Sequence, residues 1–417
     1  MLLEPEALTH DQRRAVTHQR GPLIVVGGAG TGKTTVLAQR HAWLVGQGAA
    51  PEELLLIAHS DAAADAVRTE VEELLARPYE ELVVLTAHGV AARLLHDEAV
   101  EAGLEPFVVV LGAPDRTAML LERIDELTLR RHDLRGNPAA LLRSVVARID
   151  LLKDEGVTAA EYDAWAHGLS ADDDGQRTRT EREREFAGLY LDHDRMLAEA
   201  GALDAGDVLL QAVALLRDRP GVRARVAARW RHVLVDDYQD LSFAQTQLVL
   251  LLSAGGGCDL TVAGDDDQAI RRFRGAAAKN LRELAADRAD ATEVRLEHSL
   301  RCPPAVVRAA EAVVASNPGR IAKRLEGRAG AAGDVAFWRC ANERAQAQHV
   351  AIEAERLIRE GTPPERIAVL VRSVRSEGQA IAAALDERSV PHRIEGAAAF
   401  FARAEVRDIL AWLRLLV

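Results

Sequence analysis

The stretch LIVVGGAGTGKTT, residues 23–35, constrains the fold of this chain more than any other. Leu23 to Val26 form an apolar run of strand length, a glycine-rich loop follows, and a helical pattern begins at Val36. Glycines at 27, 28, 30 and 32 let successive N–H groups turn into one concavity at a helix N-terminus, a geometry that suits phosphate. Gly28, Ala29, Gly30, Thr31, Gly32 and Thr35 are therefore candidate nucleotide-binding residues. Lys33 is expected to reach the outer phosphates as a point charge, and the Thr34 hydroxyl to ligate the magnesium that bridges them. By itself the loop says only nucleotide binder or nucleoside triphosphatase, since many chemistries share it.

Upstream, Thr9 is a candidate N-cap, which puts Gln12 on the first turn of a short helix. A glutamine amide presents a donor and an acceptor together, as adenine recognition requires, although a surface glutamine is more often simply solvated. Downstream, Leu54 to Ala58 and Leu82 to Leu85 read as further buried strands alternating with helices. That pattern predicts a parallel sheet with ligands gathered at the carboxyl ends of its strands. His59, Ser60, Thr86 and His88 fall at those ends, where a helix cap or packed loop residue is the simpler alternative for each. From about Val90 to Ala200 the pattern is mostly helical and reads as an inserted subdomain, with Asp172 to Glu185 as a solvated loop and helix face.

The sheet pattern resumes at Val233, Leu234 and Val235, which run into Asp236 and Asp237. Behind a phosphate loop, such a pair supplies one carboxylate for magnesium, here Asp236, and a second, Asp237, to take a proton from attacking water. Another strand, Leu260 to Gly264, leads into Asp265, Asp266, Asp267 and Gln268, and these aspartates lack the spacing of a calcium-binding helix–loop–helix. A second strand–helix unit is expected from Val294, with strands at Val335 to Trp338 and Ile367 to Val371 and a helix from Arg403 to Leu416.

The net charge of −12 argues against indiscriminate adhesion to DNA or acidic membranes, but leaves room for a local basic groove at Arg271, Arg272 and Arg274. Aromatic residues make up 4% of the chain, so any base-stacking platform is small. The apolar runs fall short of the ~18 residues needed to span a bilayer, and no secretion signal is read at the start. Three scattered cysteines suggest a reducing compartment and no zinc site, which together predict a cytoplasmic protein.

Taken in order, these stretches resemble the UvrD/Rep type of superfamily 1 DNA helicases over essentially the whole chain. Gln12 matches the adenine-reading glutamine, Gly27 to Thr34 motif I, Thr86 to His88 a DNA-contacting motif, and Ala202 to Asp207 a short acidic motif. Asp236 to Asp240 match motif II, Gly264 to Gly275 motif III, and Leu296 to Arg301 motif IV. Ile149 to Lys153 and Phe400 to Asp408 also look family-like. The resemblance implies that Gln268 senses the γ-phosphate and that Phe273 stacks on a base of single-stranded DNA beside Arg274. It makes Arg301 an arginine finger from the second motor domain, and puts His59, Ser60, Thr86 and His88 on the DNA side.

Several positions depart from the family pattern. Asp237 replaces a glutamate, Leu300 a tyrosine that stacks on adenine, Ala87 a phenylalanine and Arg271 a tyrosine. Residues 58–62 lack the usual aromatic and lysine, and motifs V and VI do not occur.

The fold implied is α/β, with a RecA-like first motor domain (1–89 and 201–285), an inserted helical subdomain (90–200) and an incomplete second RecA-like domain (286–417). The activity implied is ATP- and magnesium-dependent 3′ to 5′ movement on single-stranded DNA and duplex junctions in repair or recombination, weak for this length of chain alone. A partner subunit or fused nuclease would fit beside it. The alternative is an ATP-gated DNA-binding regulatory subunit with a decayed motor.

Overall fold

The structure, a computed structural model, describes residues 8–76, 81–104, 108–130, 137–171, 173–254, 258–270, 279–288, 290–330 and 333–395, together with Val406, Ile409 and Trp412. It divides into two units, Met1–Asp334 and Val335–Val417.

In the first unit a short helix, α1 (His10–Val16), leads into β1 (Leu23–Gly27) and α2 (Lys33–Gly46). Then come β2 (Leu54–Ala58), α3 (Asp61–Leu75), β3 (Val83–Thr86) and α4 (Ala87–Asp97). After the insertion the sheet is completed by β6 (His232–Val235), β7 (Asp259–Gly264) and β8 (Thr292–Leu296). The six strands are parallel in the order β3-β2-β6-β7-β1-β8. Helices cover both faces, which is why the central strands are apolar runs rather than alternating ones. Successive side chains of one strand enter opposite cores. Leu23 and Val25 join Leu37 and Val67 of α2 and α3, while Ile24 and Val26 join Val90 and Leu94 of α4.

The insertion opens with a single turn, α5 (Ala99–Ala102), and β4 (Val109–Val110). Helices α6 (Ala113–Glu122), α7 (Pro138–Asp154), α8 (Ala159–Gly168) and the 26-residue α9 (Asp174–Glu199) follow. They surround a core of their own containing Leu142, Ile149, Phe186 and Tyr190. The pair β4 and β5 (Ala202–Leu203) closes the insertion, and α10 (Ala205–Asp218), α11 (Pro220–Arg229), α12 (Phe243–Ser253) and α13 (Lys279–Asp287) return the chain to the sheet. Residues 90–97, read from sequence as the start of the insertion, lie in α4 and pack on the sheet.

A buried ionic cluster ties the insertion to the sheet. Lys153 of α7, 1% exposed, meets Asp207 at 2.6 Å, Asp204 at 2.9 Å and Asp194 at 3.0 Å. Arg116 of α6 pairs with the same Asp204 and with Asp150. Burial works against the Lys153 charge, but Asp204, Asp207 and Asp194 outweigh it and raise its pKa. This cluster accounts for the two family-like pieces at Ile149 to Lys153 and Ala202 to Asp207. A Cβ at Gly206 would lie 2.6 Å from Lys153 Cβ, so the lysine stem needs that glycine.

Two expectations differ from the structure. The strand at Val294 does not open a separate sheet: β8 pairs with β1, with Val25 opposite Val294. Val335 to Trp338 and Ile367 to Val371 are not strands. A strand persists only where a neighbour takes its N–H and C=O groups, and among the described residues none pairs with either stretch. Phe337 and Leu370 are 90% and 94% exposed. The second unit is instead centred on the helices α15 (Glu343–Arg359) and α16 (Gln379–Glu387), whose core includes Ala351 and Leu385, with α14 (Pro304–Val314) belonging to the first unit. Of the helix expected over Arg403 to Leu416, only Val406, Ile409 and Trp412 are described, and all three are helical. No described helix is long and apolar enough to cross a membrane.

Candidate active site

The phosphate loop spans from β1 to the N-terminus of α2, and its shape depends on left-handed glycines. Gly30 has φ +75° and Gly32, the N-cap of α2, has φ +80°. The loop is backed by the segment after β8. Leu300 N–H donates to Gly30 O at 2.8 Å and Ser299 Oγ to Ala29 O at 2.9 Å, and a Cβ at Gly30 would come within 2.8 Å of Arg301 Cβ. Thr31, 1% exposed, donates its hydroxyl to Gly28 O at 2.9 Å. The Lys33 ammonium donates to Gly27 O at 2.9 Å and Gly28 O at 3.3 Å, holding the cation over the loop mouth.

Gln12 is 3% exposed and locked from both ends of its amide. Oε1 accepts from Thr9 N–H at 3.0 Å in a capping box, and Nε2 donates to Thr31 O at 2.9 Å. Arg40 of α2 fixes α1 in turn. It is 1% exposed and donates to the carbonyls of Ala15, Val16 and His18, with Thr261 Oγ1 as a fourth acceptor. Burial lowers its pKa to about 10, with Asp259 acting in the opposite sense. The sequence reading missed Arg40, for which the one signal is a charged residue shortly after the apolar run Val36 to Ala38 of α2.

The acidic pair stands at the end of β6. Asp236, 4% exposed, accepts from Thr34 Oγ1 at 2.6 Å, so the two expected magnesium ligands are adjacent. Burial, and then the charge of Asp237, raise the Asp236 pKa to about 6. A hydroxyl and an electron-rich carboxylate at this spacing suit a hard divalent cation, which would remove the proton that burial retains. Asp237 adopts φ +47°, and its carboxylate contacts His59 Nδ1 at 3.4 Å and accepts from Gln239 Nε2 at 3.1 Å. Burial pushes the Asp237 pKa up, but His59, Gln239 and Lys33 together outweigh it and leave it lowered. Asp237 is therefore ionised at neutral pH and competent to accept a proton.

Gln239, which the sequence reading placed within motif II without a role, links this pair to the loop after β7. Its Oε1 accepts from Asp265 N–H at 2.9 Å, and Asp265 Oδ2 accepts from Gln268 Nε2 at 2.7 Å. Arg301 is exposed and makes no hydrogen bond or ion pair among the described residues. It lies five residues beyond the end of β8, the strand that pairs with β1. Leu300 beside it is 49% exposed.

The residues expected on the DNA side divide. Ser60 and Thr86 cap α3 and α4, accepting from Ala63 N–H and Gly89 N–H, and His88 Nδ1 lies 3.4 Å from Gln245 Nε2. Burial lowers the His88 pKa against the pull of Asp61, Asp150 and Asp204. His59 is drawn to Asp237. Phe273 and Arg274, with Arg271 and Arg272, lie outside the described residues.

Known proteins are similar to this chain in sequence. Residues 8–289 match the UvrD/REP helicase N-terminal domain, and residues 294–417 match the UvrD-like helicase C-terminal domain. The chain is 33% identical to the ATP-dependent DNA helicase UvrD1 of Mycobacterium tuberculosis, over 99% of this chain and 52% of that protein. It is 30% identical to DNA helicase II of Escherichia coli, over 99% of this chain and 54% of that protein. With a probable DNA helicase II homolog of Rickettsia felis it shares 30% identity, over 98% of this chain and 60% of that protein. The chain thus spans little more than half the length of these relatives.

Proposed function

The chain belongs to the UvrD/REP helicase family, and from that premise we propose that it carries the nucleotide-hydrolysing core of an ATP-dependent DNA translocase. One observation carries this reading above the others: the loop after β1 and the acidic end of β6 meet at the Thr34–Asp236 contact, with Lys33 and Asp237 on either side. ATP is the substrate proposed, its phosphates in the loop from Gly28 to Thr35 and its base beside Gln12. Magnesium held by Thr34 and Asp236 would neutralise phosphate charge. Lys33 exchanges its loop carbonyls for phosphate oxygens, Asp237 takes the proton of the attacking water, and Arg301 meets the charge that develops on the outer phosphate.

Movement on DNA extends the same reading. Single-stranded DNA lies across His59, Ser60, Thr86 and His88 and continues to Phe273 and Arg274, moving 3′ to 5′ as Gln268 transmits the state of the γ-phosphate. In this scheme 1–89 and 201–285 are the first motor domain, 90–200 its insertion and 286–417 the start of the second, with β8 completing the first sheet. The same proposal places the chain at duplex junctions in repair or recombination, in the cytoplasm.

The regulatory alternative keeps one specific support, the shorter carboxylate at Asp237 in a left-handed backbone. ATP turnover with and without single-stranded DNA, for the parent, Lys33→Ala and Asp237→Glu proteins, separates the two. DNA-stimulated turnover abolished by Lys33→Ala supports the motor. Absent turnover that Asp237→Glu restores supports the decayed one, and nucleotide that never binds removes both.

A further inference from the structure

Lys323 belongs to none of the motifs singled out in the sequence, yet it sits at the centre of the densest charge cluster beside the site. Its ammonium, 9% exposed, reaches Asp266 Oδ1 at 2.5 Å, Asp267 Oδ2 at 2.6 Å and Asp265 Oδ1 at 2.8 Å. Arg320 adds a second cation on Asp267 at 2.6 Å, and Ile321 N–H donates to Asp266 Oδ2 at 2.7 Å. The three carboxylates are close enough to have gathered round a metal ion, and the lysine fills that place.

Three adjacent carboxylates repel one another strongly in a setting as dry as this one, where Asp265 is 2% and Asp266 7% exposed. Without a cation the loop would spread. What the loop holds is functional. Asp265 accepts from Gln268 Nε2 through one oxygen, while its N–H donates to Gln239, which donates to Asp237. A continuous polar chain therefore runs from Lys323 through Asp265 to Gln268 on one branch and to the base Asp237 on the other.

We propose that Lys323, supported by Arg320, is a positioning residue for nucleotide hydrolysis: by neutralising the loop it holds Asp265 where Gln268 and Asp237 are both aimed. This rests on the hydrolase reading above. The lysine's ammonium is taken up by the three aspartates, so its loss lowers kcat through misplacement, and misplacement of about 1 Å costs on the order of 100-fold.

The test uses the full chain with Lys323→Met, Lys323→Arg and Arg320→Gln. For each, DNA-stimulated ATP turnover, affinity for a fluorescent ADP analogue and melting temperature are measured. The expected result is a fall in kcat of about 30- to 100-fold for Lys323→Met, with ADP affinity within about threefold of the parent, and recovery of most of the loss by Lys323→Arg. Arg320→Gln, at the more open edge of the cluster, loses about three- to tenfold. Parental kcat in Lys323→Met overturns the inference, as does a parallel fall of kcat, affinity and melting temperature. Should Lys323→Met fail to fold, parental kcat in Arg320→Gln overturns it instead. Absence of turnover in the parent protein defeats the hydrolase reading itself, whereas parental turnover untouched by Lys323→Met defeats the inference alone.

Discussion

Thr34 Oγ1 and Asp236 Oδ2 stand 2.6 Å apart although 202 residues separate them in the chain. Their strands are not neighbours: β7 lies between β1 and β6, so the two side chains meet over the carboxyl end of a third strand. The contact exists because a parallel sheet brings all its strand ends to one edge. Thr34→Val keeps the shape and removes the hydroxyl, and should raise the magnesium concentration for half-maximal turnover about tenfold. A magnesium titration of ATP turnover reads this directly. Lys33→Ala should cost about 100- to 1000-fold in kcat, the range for losing one dedicated charge-stabilising group.

In the proposed mechanism Asp237 takes the proton of the attacking water, and His59, Gln239 and Lys33 keep its carboxylate ionised. Asp237→Asn retains the size and the bond to Gln239 but cannot take a proton, so turnover should fall about 100-fold or more while ADP analogue affinity stays at the parental value. Asp237→Glu extends the carboxylate by one methylene and should raise kcat by up to about tenfold. Single-turnover kinetics separates this gain from any change in product release.

Asp236 makes metal-free stability fall with rising pH. Its folded pKa of about 6 lies above the ordinary 3.8, so between these values the folded state holds a proton that the unfolded state has lost. Stability therefore decreases as pH rises through that window, and the full penalty is present above pH 6. Asp236→Asn removes it and should stabilise the metal-free protein by about 1–3 kcal/mol at pH 7.5, with little gain below pH 4. Urea denaturation in EDTA across that range measures the difference, and the same variant should not turn over ATP.

His41 has the opposite sign. It is fully buried in α2 with neither ring nitrogen hydrogen-bonded among the described residues, and burial, then His232, lower its pKa to about 4. As pH falls from 6.5 towards 4 the unfolded state gains a proton that the folded state refuses, so stability is lost on acidification. His41→Phe should flatten that part of the profile by about 2–3 kcal/mol between pH 7 and pH 4. Denaturant midpoints at the two pH values test it.

Lys153 joins the insertion to the start of α10 through Asp204 and Asp207, and meets Asp194 of α9 within the insertion. Lys153→Met leaves Asp204 buried with Arg116 as its one remaining permanent cation among the described residues, and should cost about 3–5 kcal/mol, since breaking one side of a buried pair strands the other. The double variant Lys153→Met with Asp207→Asn should recover part of that loss. Thermal unfolding of the set checks both statements.

Much of this protein is determined by the sequence alone, because the relevant signals are contiguous. The phosphate loop at Gly27–Thr34, the acidic strand end at Asp236 and the apolar runs of the individual strands from Leu23, Leu54 and Val233 each lie within a dozen residues, where spacing and local backbone preference suffice. What only the tertiary structure decides is non-local. Pairing with β1 puts β8 in the first sheet and Arg301 just beyond the end of that strand, and nothing in Thr292–Leu296 announces that partner. Arg40, Lys153 and Lys323 look like solvated cations in sequence, and become structural only when carbonyls or carboxylates from distant segments close over them. Val335 to Trp338 and Ile367 to Val371 have the composition of strands, yet composition supplies no partner. A hydrogen-bonded strand and a buried charge are each properties of two segments at once, so neither can be read from one of them.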